Sequence, residues 1–126
     1  MREIVHASDN ADPLGPYSNG ATDGETLWTA GQIPVTPAGE VLNDTGIGTR
    51  TEQALENITR VLAAAELELA DVLKTTVYMT DIDQFPGMNE VYRSYFDSDP
   101  PARTAVEVSQ VADGAAIEIE AVATHS

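Results

Sequence analysis

The sequence predicts an α+β fold, a two-layer sandwich in which a six-stranded mixed sheet carries two helices on one face. Six short β-prone runs are interrupted by only two stretches of helical periodicity, in the order β-β-β-α-β-α-β-β. Two helices are too few to cover both faces of such a sheet, so one face has no helix layer. A length of 126 residues suffices for one core, which makes 1–126 a single domain.

Each element has its own signal. A short strand near Glu3–Ala7 runs into Asp12-Pro13-Leu14-Gly15-Pro16, a rigid loop. Tyr17–Asp23 and Thr26–Ile33 are expected strands, joined at Asp23-Gly24-Glu25 by a turn of the two-residue hairpin kind. Residues 34–48 are loop, punctuated by Pro37, Gly39, Gly46 and Gly48. Thr49-Arg50-Thr51-Glu52 has the capping-box pattern and opens a helix expected to reach about Glu66. Within it Ala54, Ile58, Val61 and Ala65 share a face with Leu55 and Leu62. Lys74–Thr80 is β-branched and aromatic, hence a strand. Asp83 is the expected cap of a second helix whose apolar side is Phe85, Met88, Val91, Tyr92, Tyr95 and Phe96. Asp97-Ser98-Asp99-Pro100-Pro101 stops it, and the strands Ala102–Val108 and Ala115–Thr124 finish the chain.

Strand parity assigns side chains to faces. Ile117, Ile119 and Ala121 suit the helix-covered core, which turns Glu118 and Glu120 to the other face. If the last two strands pair antiparallel, Arg103 shares that open face with Glu107, Glu118 and Glu120. The face is then either wet or an interface between copies of the chain.

Composition narrows the function. Six Lys and Arg against 21 Asp and Glu give a formal charge of −15, which opposes binding to nucleic acid or an anionic membrane. Lys74 is the only lysine, and a carboxylate-rich, lysine-poor surface is what a halophile's cytoplasm favours. With no cysteine there is no disulfide, thiolate metal site or thiol nucleophile. His6 and His125 have no ligand-like spacing, so no metal is expected. The start lacks the apolar stretch of a signal peptide and no run matches a membrane span, so a cytoplasmic protein is expected.

Against that background Arg103 stands out, a cation inside the apolar run Pro101–Val108. A buried guanidinium needs a carboxylate, from the protein or from a ligand, and its planar fork grips a small carboxylate with two bonds.

Five segments in one order carry a likeness to a known family. They are Pro13-Leu14-Gly15-Pro16-Tyr17-Ser18, Thr29-Ala30-Gly31-Gln32-Ile33-Pro34, Lys74-Thr75-Thr76-Val77-Tyr78, Pro101-Ala102-Arg103 and Ile117-Glu118-Ile119-Glu120-Ala121. Together they resemble the Rid (RidA/YjgF) family over essentially the whole chain. The resemblance implies a homotrimer of chorismate-mutase-like subunits with sites in the clefts between them. It also implies cofactor-free hydrolysis of reactive enamines and imines of the 2-aminoacrylate type to a 2-keto acid and ammonia.

By the same resemblance Arg103 is the carboxylate clamp, Gly31 a backbone donor and Glu118 the carboxylate that positions water and handles protons. Tyr17 shapes the pocket, Asn89 lies near the cleft, and the carbonyl of Ala105 can hold water. Many relatives have serine where this chain has Ala30 and cysteine where it has Ala105, so one hydroxyl and one thiol are lost here. Other readings stay open: Glu118 as a structural partner of Arg103, Tyr17 as a loop anchor, Asn89 as a helix-holding residue. At the level of function, the alternatives to the deaminase are a non-catalytic trimer that senses 2-keto acids and, against the charge, a ribonuclease or translation inhibitor.

Overall fold

The computed structural model describes residues 2–125; Met1 and Ser126, the ends of the expected domain, lie outside it. Its elements are β1 (Glu3–Val5), β2 (Gly20–Thr22), β3 (Thr26–Thr29), α1 (Ile47–Ala64), β4 (Val72–Met79), α2 (Phe85–Tyr95), β5 (Ala102–Glu107) and β6 (Ile117–Thr124). They form one six-stranded sheet in the order β1-β2-β3-β6-β4-β5. Every neighbouring pair is antiparallel except β4 and β5, which run parallel. A parallel pair needs a crossover, and α2 supplies it. The expected element order and the two-layer arrangement are both present.

Alternation along β6 stacks the layers. Ile117, Ile119, Ala121 and Ala123 are buried, while Glu118, Glu120, Val122 and Thr124 between them are half-exposed. The buried set meets Leu55, Ile58 and Leu62 of α1 and Met88 and Tyr92 of α2 in a single core. The other face carries Ile4, Trp28, Tyr78, Glu118, Glu120 and Val122 by register, and no helix covers it. Trp28 and Ile4 are about half exposed there, at 49% and 55%.

Local expectations failed at helix starts. The capping box does not form: α1 begins at Ile47, with extended Gly46 as its cap and no side chain bonded there. Thr49 is therefore already inside the first turn, and the Thr51 hydroxyl donates back to the Ile47 carbonyl (2.7 Å). Similarly, Asp81 rather than Asp83 is the cap ahead of α2. Its carboxylate accepts from the Asp83 amide (3.0 Å) and closes a single 3₁₀ turn, Ile82–Gln84. The hairpin turn matches its expectation: Gly24 has φ +100, and Asp23 Oδ1 accepts from the amides of Glu25 and Thr26 at 3.0 and 2.9 Å.

Asn57, fully buried in α1, fixes the loop after β3. Its amide donates to the carbonyls of Ile33 (3.1 Å) and Val35 (2.9 Å), and its own carbonyl accepts from Asn10 (3.0 Å). The Ile33 carbonyl also accepts from the Val35 amide (2.7 Å), whereas that of Val35 would otherwise be buried without a partner, at a cost of about 1–3 kcal/mol. The segment carrying Gly31 and Gln32 is thereby held down on the helix layer at one end. At the other, Gln32 and Ile119 exchange two backbone bonds of 2.7 and 3.0 Å.

Candidate functional site

One expectation about the site is overturned by topology. β5 does not pair with β6: both lie against β4, on opposite sides of it. Arg103 is in register with Thr75, which is fully buried on the helix side and bonded to the Tyr92 hydroxyl (2.7 Å). Arg103 and Ala105 therefore face the helices, and Ala105 packs against the core. Glu118 is in register with Tyr78, whose parity is opposite, so it faces away. Glu107 likewise belongs to the helix side, in register with Met79, and accepts from the Ile82 amide (2.9 Å).

The predicted residues consequently fall into two groups. At the β5 edge the Arg103 guanidinium lies 4.6 Å from the centre of the Tyr92 ring and 5.2 Å from that of Phe85, with Met88 Sδ at 4.0 Å. Two aromatic faces are a good seat for a planar cation. They hold its position but leave its N–H donors largely unused, and the contacts here are to rings and a thioether rather than to a carboxylate. Beside it is a cleft of about 380 Å³ lined by Asn89, Tyr92, Phe96, Pro101 and Arg103, among others.

The second group lies on the uncovered face. A Cβ on Gly31 would overlap the Glu118 side chain, at 2.6 Å from its Cδ and 2.9 Å from its Cγ, so only glycine lets this carboxylate sit against the backbone. Burial, followed by the charge of Glu120, pushes the Glu118 carboxyl above the usual glutamate range. Close by, Pro16, Tyr17, Ser18, Trp28, Thr29 and Ala30 line a second depression. The Tyr17 hydroxyl accepts from the Leu14 amide (3.2 Å), so this residue does anchor its loop while its ring stays half exposed.

Arg103 and Glu118 are thus three residues apart along β4, on opposite faces and two strands apart. That is about 10 Å in each in-plane direction, with the thickness of the sheet added. One chain cannot bring them to a common small molecule. The aromatic seat went unforeseen because Phe85, Met88 and Tyr92 have core spacing along α2, and the stripe gives no sign that it ends beneath a guanidinium.

A family model described as Endoribonuclease L-PSP, the YjgF/Rid family, matches residues 8–125. The chain belongs to that family. A RutC family protein of Pyrococcus horikoshii is 46% identical over 124 residues, 98% of each chain. The 2-iminobutanoate/2-iminopropanoate deaminase of Homo sapiens is 37% identical over 123 residues, 98% of this chain and 90% of that one. The crystal structure of E. coli TdcF with bound serine superposes with a TM-score of 0.93 at 35% identity, covering 98% and 99% of the two chains. The Rid fold thus accounts for the six-stranded sheet and its two helices. Among the described residues no helix is long and apolar enough to cross a membrane, and no His, Cys, Asp or Glu cluster could hold a metal.

Proposed function

We propose that this Rid protein hydrolyses enamine and imine intermediates of the 2-aminoacrylate/2-iminopropanoate type, without a cofactor, at sites shared between adjacent copies in a homotrimer. The observation that carries the reading is the division of the candidate residues. Arg103, Asn89 and the Ala105 backbone lie at one edge, Glu118, Gly31 and Tyr17 on the opposite face, and each half lacks what the other has. Similarity to the human deaminase supplies the substrate class.

The chemistry follows from the groups. Arg103 of one copy takes the substrate carboxylate through its free N–H fork, and the Gly31 amide of the next adds a donor. A 2-iminium carbon beside a carboxylate is already electrophilic. Ionised Glu118 accepts a proton from water as the oxygen bonds to that carbon, giving a neutral carbinolamine. Protonated Glu118 then gives the proton to nitrogen, the C–N bond breaks, and the hydroxyl proton leaves with ammonia as ammonium. The products are a 2-keto acid and ammonium, and Glu118 is returned ionised. A carboxyl that must serve as base and then acid works best with its pKa raised toward the working pH, the direction seen.

The deciding experiment generates 2-aminoacrylate with a pyridoxal-phosphate lyase and follows imine decay. Acceleration that is lost in Arg103→Ala and mostly lost in Glu118→Gln supports the reading. A folded trimer that gives no acceleration but binds 2-keto acids through Arg103 supports the sensing alternative, which the alanines at 30 and 105 favour. Ribonuclease activity, the sense of the family's description, is opposed by the charge of −15. We also infer an assembly adapted to high salt, in the cytoplasm; an unchanged trimer and melting curve from low to molar salt would contradict that adaptation.

A further inference from the structure

Glu118 has a second carboxylate beside it that the proposed chemistry leaves unused. Glu120 follows two residues later on β6, on the same uncovered face, about 7 Å away at the backbone. The strand next to it is irregular. Trp28 pairs with Val122 and Gln32 with Ile119, so three residues of one chain segment, Thr29 to Gly31, oppose two of the other, Glu120 and Ala121. This is a β-bulge, and it is pinned at both ends. Gln32 and Ile119 exchange bonds on one side, and the Thr29 hydroxyl accepts from the Ala121 amide (3.0 Å) on the other. The bulge brings the Gly31 backbone against Glu118 and fixes the β6 backbone on either side of Glu120.

The titratable and charged groups on this face are Glu118 and Glu120 of β6, Tyr78 and Lys74 of β4, and Arg2 and Tyr17, which line the depression beside Trp28. β3 adds Trp28 and β5 adds Thr104 and Val106, none of which titrates. Tyr78 is opposite Glu118, and burial, then the nearby Glu120, then Glu118, push its hydroxyl up, so it stays a donor. Lys74 is opposite Val122, one pleat beyond Glu120.

We propose that Glu120 is a positioning residue that holds the catalytic proton on Glu118. It touches no substrate and acts through Glu118 by like-charge repulsion across the pleat. In this way it extends the deaminase reading, on which it rests. Two carboxylates on one face divide the work: the charge of Glu120 raises the Glu118 carboxyl, and Glu118 is the group that exchanges protons.

The test uses full-length protein labelled with carboxyl ¹³C-glutamate, the Glu118 resonance being assigned with Glu118→Gln. In Glu120→Gln the Glu118 titration midpoint should fall by about half a unit or more, as expected for removing a like charge at this range. The acid limb of the kcat profile should move down with it. Glu120→Asp should restore both. An unmoved Glu118 midpoint in a folded Glu120→Gln protein overturns the inference, whether or not the enzyme turns over. A midpoint that moves while the kcat profile stays in place also overturns it. Wild-type protein without any turnover defeats the deaminase reading itself, and is recognised separately from either result.

Discussion

The two faces of the sheet are built from the same strands by the same alternation, yet they do different things. The helix-covered face is apolar and closed, with Leu55, Ile58, Leu62, Met79, Ile117 and Ile119 fully buried. The uncovered face mixes half-exposed carboxylates with Trp28 and Ile4, which a lone chain leaves in water. A substitution on the first face should change how firmly the chain folds. On the second it should change chemistry and assembly, with a smaller cost to the fold. Arg103 is the exception that links them, facing the helices yet lying at the edge strand where a cleft opens.

The sharpest contrast should come from mixing variants. Arg103→Ala and Glu118→Gln are each expected to lose most imine hydrolysis. Unfolded and refolded together in equal amounts, they should recover about a quarter of wild-type activity, the share of junctions in a cyclic trimer that receive both intact halves. No recovery in trimers shown to be mixed would break the distinction between halves.

On the closed face, Leu55→Ala should cost about 2–5 kcal/mol by denaturant unfolding, from lost transfer energy and the cavity left behind. Gly31→Ala tests the meeting of the loop and the open face. It should cost about 1–3 kcal/mol through overpacking and displace the Glu118 carboxylate, seen as a changed titration of that group.

The pH dependence has a definite sign. Glu118 has a raised folded pKa, so the folded state holds its proton more tightly than the unfolded state does. Its contribution to stability is therefore full below the unfolded value and lost as pH rises through the folded one. Glu118→Gln should match wild type at low pH, gain on it progressively as pH rises through that window and keep a constant advantage above it, in melting curves taken at constant oligomeric state. A difference that stays flat with pH would show that Glu118 is not held against its charge.

A smaller effect belongs to neither face. Glu66 follows α1 with φ 62, and the Leu67 amide bonds back to the Leu62 carbonyl (2.8 Å), the usual place of a glycine. Glu66→Gly should stabilise the fold by about 1 kcal/mol or less without altering activity.

Much of this was legible in the chain. Alternation in Ile117–Ala121 assigned Glu118 and Glu120 to the open face, and two amphipathic stretches fixed the layer architecture. Pairing was not legible. Parity states which residues of a strand share a side, but the sign relative to a neighbour depends on register, and β5 pairs with β4 rather than with β6. That single fact turned Arg103 over. Helix starts escape the sequence for a related reason, since Thr49-x-x-Glu52 is a capping pattern only if the chain is extended at Thr49, and it is already helical there.

The bulge at Thr29–Gly31 makes chain length matter as much as residue identity. Deleting one residue there would restore an even ladder with β6 and shift the downstream chain by one step, carrying Gly31 away from Glu118 and Asn57's two carbonyls out of reach. The segment resembles a loop that should accept gaps and insertions, yet it counts residues. Anyone diversifying this protein should leave the spacing between Trp28 and Gln32 untouched.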